Sequence, residues 1–413
     1  MKFKNVHDVG KWRLCAGCGA CAYICPQHEV QLVDIINDGI RPVVKNDSGC
    51  PSCLECLSVC PGISIFHNAD GHEQKFLPEF HKHWGPVLEV WEGHAVDPEI
   101  RLKGSSGGLA TALSIFCIEK KKSFGVLHIG ATAGIPWKNS TYLSRNRHEL
   151  ISRSGSRYSP ASPCDGLEMI ESSLKPCAFV GKPCDIVGLR KAQALRPGLD
   201  NNIELAIGFF CAGTPSTLAS LDFFDSLKIA RKVIHNFRYR GKGWPGMATI
   251  KLKEPSTESI KVSYHESWGF LQKYRPFRCY LCPDLTAEFS DISVGDPWYR
   301  EISEDEPGQS LILIRTERGR QIFHEAVADG LIAAWPSDSS KLLASQKRLL
   351  TKRQSLWGRL LALKILRIPT PQFKGFQLSI NWLGLLPTIE KFKSISGTVK
   401  RAIQRNYFRP KEY

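Results

Sequence analysis

Cys15, Cys18, Cys21 and Cys25, followed by Pro26, form the pattern CxxCxxCxxxCP, and the pattern returns at Cys50, Cys53, Cys56, Cys60 and Pro61, thirty-five positions on. Three thiolates at this spacing wrap one face of an iron–sulfur cubane, and the fourth must come from elsewhere in the fold. Where two such motifs occur, each lends its last cysteine to the other. Cys15, Cys18, Cys21 and Cys60 would hold one [4Fe-4S] cluster, and Cys50, Cys53, Cys56 and Cys25 the second. Zinc needs only four ligands per ion, and a disulfide framework belongs to secreted chains with a signal peptide. Two complete motifs, each closed by Cys-Pro, favour clusters.

This is the spacing of a bacterial-type ferredoxin, whose chemistry is one-electron transfer. The chain has 413 residues, enough for two to four domains, and 15 cysteines. Its start, MKFKNVHDVGKW, lacks an apolar signal region, so the expected setting is a reducing cytoplasm with cysteines used for metal. No apolar run reaches the roughly twenty residues that cross a bilayer. The net charge of +15 is concentrated: Lys341 to Tyr413 carries 16 Lys and Arg against Glu390 and Glu412. A basic segment suggests nucleic acid first, but this one has no nucleic-acid motif.

The elements that would position further chemistry follow in order. After a polar stretch from His67 to Trp84 that reads as a linker, Val87 to Trp91 is strand-like. Lys103-Gly-Ser-Ser-Gly-Gly108 then runs into an apolar helix over 109–118. A glycine-rich turn opening a helix presents backbone amides at the positive end of the helix dipole, a seat for a cofactor pyrophosphate or simply a turn and cap. Gly125 to Gly130 reads as a strand. Ser154 to Pro160 is a polar loop in which Arg157 and Tyr158 are candidates to bind a phosphate and stack on a ring. Cys177 to Val180 and Ile203 to Phe210 read as strands. Each turns into a helix, the first from near Ile186, the second with Thr214 as cap and Pro215 at its first position. Two strand–turn–helix units imply parallel pairing, with Cys184 and Cys211 on one sheet edge. Strands are expected at 248–252, 260–264, 291–296 and 310–316, and a helix at 317–331. The globular part is expected to close near Pro336.

Seven cysteines remain. Cys117 and Cys177 fit core positions, and Cys164 follows a loop proline without an assignment. Cys184, Cys211, Cys279 and Cys282 all sit at turns beside Pro or Gly, where a backbone can bend around an inorganic cluster. They are the inferred ligands of a third [4Fe-4S] cluster, with zinc or an isolated CxxC as the other readings.

The order of a dicluster ferredoxin, SSGG, GKPCD, FFCAG and RCYLCPDLTAEFSDISVGDPW resembles the beta-subunit family of coenzyme F420 hydrogenases and dehydrogenases, over about residues 1–336. The resemblance implies an iron–sulfur flavoprotein carrying FAD and exchanging electrons with a two-electron carrier, often a deazaflavin. It implies FAD phosphate contacts at Gly104, Ser105, Ser106, Gly107 and Gly108, with Arg157, Tyr158 and Lys182 nearby, and a flavin-proximal cluster on the four turn cysteines. Asp284, Glu288 and Asp296 match acidic positions of the family pattern, with turn and strand capping as their other reading. Catalytic residues are not assigned.

The expected fold is α+β: a two-cluster ferredoxin-like domain (1–66), a linker (67–84), the first (85–170) and second (171–336) parts of a mixed α/β flavin-binding domain, and a helical basic tail (337–413). In the tail, Leu349, Leu356, Leu360 and Leu363, flanked by Leu350, Trp357 and Leu361, form an apolar stripe between Ser345 and Ile368, ended by Pro369 and Pro371. Such a stripe docks on its own domain or lies on an anionic membrane; docking is the expectation. The tail also resembles extensions in bacterial members associated with surface-polysaccharide synthesis. The function expected is an oxidoreductase acting on coenzyme F420 or a polysaccharide-pathway substrate, or else a non-catalytic electron-transfer subunit. Its partner would be a redox protein or small electron carrier, its setting cytoplasmic with peripheral membrane contact open to the tail, and nucleic acid the least favoured.

Overall fold

The computed structural model describes residues 3–46, 50, 53–67, 76–254, 258–301 and 306–413. Its frame is an eight-stranded mixed sheet in the spatial order Ile332–Pro336, Glu89–Ala95, Ser310–Ile314, Ile292–Gly295, Ile203–Phe209, Cys177–Gly181, Val126–Thr132, Ile135–Ser144. The four strands from Ile292–Gly295 to Val126–Thr132 run parallel, and the flanking pairs are antiparallel. Helices cover the central part of this sheet on both faces, so its strands read as continuous apolar runs; every residue of the parallel strand Cys177–Gly181 and of the antiparallel strand Ser310–Ile314 is buried. One core gathers Leu113, Phe116 and Phe323 from the helices Leu109–Glu119 and Glu317–Ala328 against the sheet. A separate three-stranded antiparallel sheet, Ile260–Ser263, Met247–Leu252, Ile234–Arg238, has its own aromatic core.

The cysteine repeat folds as a hairpin, Val30–Ile35 with Gly39–Val44, and two short helices, Ala20–Ile24 and Glu55–Ser58, that each carry motif cysteines. It shares a hydrophobic core with the rest of the chain: Ile24, Val59 and Ile65 belong with Phe179, Ile186 and Leu189, and with Leu356, Leu360 and Leu363 of the tail.

Several expectations shift. The described end of the 67–84 linker is a helix, Pro78–Trp84, whose Phe80 and Trp84 are fully buried. The helix after Cys177–Gly181 begins at Pro183, because Pro183 takes the first helical position and the Asp185 carboxylate accepts the Lys182 backbone N–H at 3.1 Å. Cys184 therefore sits in a helical first turn. The next helix, Thr217–Ser226, starts after Ser216, not Thr214. The Ser216 N–H donates to the Tyr274 carbonyl at 3.1 Å, tying off the chain before the helix begins.

The globular part does not close at Pro336. Helices Ser339–Ser345, Lys347–Gln354 and Leu356–Ile365 pack inward, and the stripe at Leu349, Leu356, Leu360 and Leu363 is buried. The helix expected across 345–368 is two helices meeting at Ser355, whose hydroxyl bonds back to the Thr351 carbonyl at 2.7 Å. Gln372–Lys374 then pairs in parallel with Ser64–Phe66, stitching the tail to the cysteine repeat. The docking expected for this stripe is what the structure shows.

Candidate functional site

Three cavities lie side by side. The first, about 20 Å³, is lined by Cys15, Cys18, Cys21 and Cys60. These are three cysteines of the first motif and the last of the second, the exchange anticipated from the spacing. Burial, with repulsion from the facing thiols, pushes three of these thiols up: Cys15 and Cys21 rise and Cys60 reaches about 12, while a hydrogen bond with Cys164 holds Cys18 below the usual thiol range. Cys56 is raised by burial and by Cys50, Cys53 and Cys25, the complementary set. Buried thiols that repel one another as thiolates suit a cationic iron core, which deprotonates them on binding.

The second cavity, about 60 Å³, is lined by Cys184, Cys211, Cys279 and Cys282, the four turn cysteines, together with Cys15. Cys184 comes from the first turn of its helix. Cys211 follows the neighbouring parallel strand, where its N–H donates to the Leu285 carbonyl. Cys279 lies within the short helix Phe277–Tyr280 and Cys282 just beyond its end. That segment is pinned to the cysteine repeat by Arg278, which donates to the Leu281 and Pro61 carbonyls at 2.7 and 2.9 Å. Burial and the facing thiols raise Cys211 to about 12. Among the described residues, no three His, Cys, Asp or Glu side chains are arranged to hold a single metal ion. Lys352, from the tail, also lines this cavity and donates to the Ala212 carbonyl at 3.1 Å. Sequence reasoning missed it, because nothing in the tail's charge pattern marks one lysine as buried.

The third cavity, about 330 Å³, opens at the carboxyl ends of the parallel strands. Gly104, Ser105, Ser106 and Gly108 line it, and so do Leu109, Ala110 and Thr111 in the first helical turn. Gly107 is not in its wall. Gly107 and Gly108 both have left-handed backbones, φ 69° and 71°, and a Cβ on Gly107 would meet the Gln309 backbone at 2.9 Å. The serines hold the loop in place: Ser105 Oγ accepts the Ser156 N–H at 2.7 Å, and Ser106 Oγ donates to the Gln309 carbonyl at 2.8 Å.

Arg157, Tyr158 and Lys182 also line the large cavity, with their polar groups partly committed elsewhere. Arg157 spends four of its five N–H donors on Asn139 Oδ1 and the Phe237, Pro136 and Lys138 carbonyls. These bonds make it a buttress of the wall, with one N–H donor left over. Lys182 Nζ donates to both Asp185 oxygens, at 2.6 and 2.8 Å, and to the Ala161 carbonyl at 3.1 Å. Burial alone would lower its pKa, but Asp185 overrides this and keeps it charged. Tyr158 packs on Trp268, ring centres 4.8 Å apart.

Among the further wall residues, Arg240, Tyr264 and His128 were not singled out in the sequence. Arg240 pairs with Asp296, 2.9 Å between Nη1 and Oδ2, and lies over Tyr264 and Trp298, whose rings stack 5.2 Å apart. The sequence signal was the Trp298 of GDPW. His128 is buried, bonded to Ser144 Oγ at 2.8 Å, and burial lowers it to about 4, so it is neutral at pH 7. Asp284 accepts the Thr286 and Glu288 N–H groups, the capping role. Glu288 pairs with Arg353 and with His67 at 2.8 Å. Cys117 and Cys177 are core residues. Cys164 is buried, donating to the Asp185 carbonyl at 3.2 Å, with its N–H on the Cys18 carbonyl.

The cavities share walls. Cys15 lines the first two, and Ala161, Lys182, Cys211, Gly213 and Thr214 line the second and third.

Family models described as coenzyme F420 hydrogenase/dehydrogenase, beta subunit (N-term and C terminus), match residues 90–167 and 174–340 respectively. The chain belongs to this beta-subunit family, an oxidoreductase family. It is 26% identical over 265 residues to the coenzyme F420 hydrogenase subunit beta of Methanosarcina barkeri, covering 62% of this chain and 84% of that one. It is 24% identical over 303 residues to the protein of the same name from Methanothermobacter thermautotrophicus, covering 70% and 99%. A coenzyme F420-dependent sulfite reductase of Methanocaldococcus jannaschii is 25% identical over 333 residues, 78% of this chain; the chain spans about half, 47%, of that relative. In fold, the chain is similar to a chain of the F420-reducing [NiFe] hydrogenase complex of Methanosarcina barkeri, TM-score 0.52 at 21% identity, covering 67% and 93%. Among the described residues, no helix is long and apolar enough to cross a membrane.

Proposed function

We propose that this chain is an iron–sulfur flavoprotein with three [4Fe-4S] clusters and one FAD, moving electrons between a redox partner and a two-electron carrier. The observation that carries the reading is the run of shared walls, from the cavity of Cys15, Cys18, Cys21 and Cys60 to that of Cys184, Cys211, Cys279 and Cys282, and on to the large cavity. A flavin, when bound, supplies the exchange between one-electron and two-electron carriers. The loop at 104–108 and the first turn of Leu109–Glu119 would seat its phosphates against backbone amides that a helix start leaves unpaired.

The protein's own groups set the surroundings. The Arg240–Asp296 pair and the stacked Tyr264 and Trp298 offer a planar, cation-backed wall for an aromatic ring. Lys182 keeps a fixed positive charge between the two inner cavities, and neutral His128 adds none. Coenzyme F420 is the carrier that the relatives' names favour. A polysaccharide-pathway substrate rests only on the tail analogy. A subunit that wires electrons to chemistry on another chain is the second reading, favoured by relatives named as subunits.

The test is anaerobic mixing of purified, cofactor-loaded protein with reduced coenzyme F420. Bleaching of flavin absorbance without added subunits supports the proposal. Bleaching only after a partner protein is supplied supports the wiring role, and no bleaching under either condition removes coenzyme F420 as the carrier.

A further inference from the structure

The last two helices invert the usual arrangement of a surface helix. Thr388–Gln404 packs on Leu356–Ile365 through small or hydroxylated side chains, burying Ser394, Thr398 and Ala402. Ser394 Oγ accepts from Trp382 Nε1 at 3.1 Å, and the close approach requires Gly358, where a Cβ would strike both side chains. Several of the largest apolar side chains face outward, whereas Ile395 and Val399 are half-buried. Ile389, Phe392 and Ile403 are 65%, 70% and 61% exposed, and Ile380 and Leu383 of the preceding helix, Leu378–Gly384, are 58% and 60% exposed. Lys391 Nζ donates to the Leu383 carbonyl at 2.7 Å and so holds the two helices together.

Ile389, Phe392, Ser396, Lys400 and Ile403 recur at steps of three and four, so they form one stripe. Single exposed apolar residues are ordinary, but a gathered set marks an interaction surface. This surface is also basic. Lys393, paired with Glu390 at 2.8 Å, and Lys400 are exposed within it, and the exposed Arg405 lies at its end. Apolar rings and isoleucines set among lysines match a bilayer with anionic headgroups, where the rings enter the acyl boundary and the lysine stems reach outward to phosphate.

We propose that this face rests on the surface of an anionic lipid bilayer, with Thr388–Gln404 lying in the interface plane. It is separate from the Ser345–Ile368 stripe, which is core. The contact is peripheral, since no described helix can span.

The test uses full-length, cofactor-loaded protein sedimented with phosphatidylcholine vesicles, with and without about 30% phosphatidylglycerol. The expected result is binding to the anionic vesicles only, weakened by salt. Phe392→Trp should shift its emission to the blue on binding. Ile389→Glu with Phe392→Glu should weaken binding by about tenfold or more, and Lys393→Gln with Lys400→Gln severalfold; both pairs are exposed and leave the buried face untouched. The proposal is overturned by no vesicle binding at low salt, or by binding that both double variants leave unchanged. It is equally overturned by a wild-type dimer that the glutamate variant dissolves while neither protein binds vesicles.

Discussion

Arg353→Met should loosen the tail where it covers the cysteine cavity. Arg353 and Glu288 are both essentially fully buried, with side chains 1% and 0% exposed, and the guanidinium also reaches the Pro283 carbonyl at 3.2 Å and lies over Phe376. Burial alone would raise the Glu288 carboxyl; Arg353, with His67, overrides it and holds Glu288 down to about 2 from 4.5. That depression corresponds to about 3 kcal/mol favouring the folded carboxylate, within the range for breaking one side of a buried pair. Methionine keeps the volume and removes the charge. Amide exchange in Lys347–Gln354 and Leu356–Ile365 should speed up by about a hundredfold at pH 7. Because the folded pKa is depressed, this stabilisation is present above about 4.5 and fades as pH falls toward 2. The difference between wild type and variant should therefore narrow below pH 4.5. Exchange within about twofold of wild type at pH 7, or a gap constant down to pH 3, would refute the argument.

Lys352→Met removes a half-buried cation facing Cys211, Cys279 and Cys282; the potential of the cluster proposed there should fall by roughly 50 mV, about 1 kcal/mol for one electron, measured by spectroelectrochemical titration. Gly108→Val forces a side chain into a left-handed position against the Ile100 carbonyl, so the flavin-to-protein absorbance ratio should drop by at least about half while iron content holds. Cys184→Ala should remove about four irons per chain, whereas Cys164→Ala, whose thiol lies behind Cys18 and outside the cavity walls, should remove none by colorimetric iron assay.

The parts that the sequence exposed were those governed by local rules. The spacing of two CxxCxxCxxxCP motifs groups Cys15, Cys18 and Cys21 with Cys60, and these four line one cavity. The runs CAFVG and SLILI are central strands, the first parallel and the second antiparallel to its neighbours, and both are wholly buried because the mixed sheet is covered on both faces. Local rules failed where tertiary contacts decide. Arg157 reads as an anion binder by type, and what the sequence could not show is that carbonyls as distant as Phe237 hold most of its donors. Thr214-Pro215 reads as a helix start, yet Ser216 is held by Tyr274 first. The tail's charge hides Lys352 and Arg353, whose burial depends on partners more than sixty residues away in the chain.

Anaerobic purification followed by iron, acid-labile sulfide and flavin analysis tests the three-cavity electron path. The account predicts about twelve irons, an equal amount of sulfide and one FAD per chain. About eight irons with no flavin would contradict it, leaving the cysteine repeat as a ferredoxin with nothing behind it to receive its electrons.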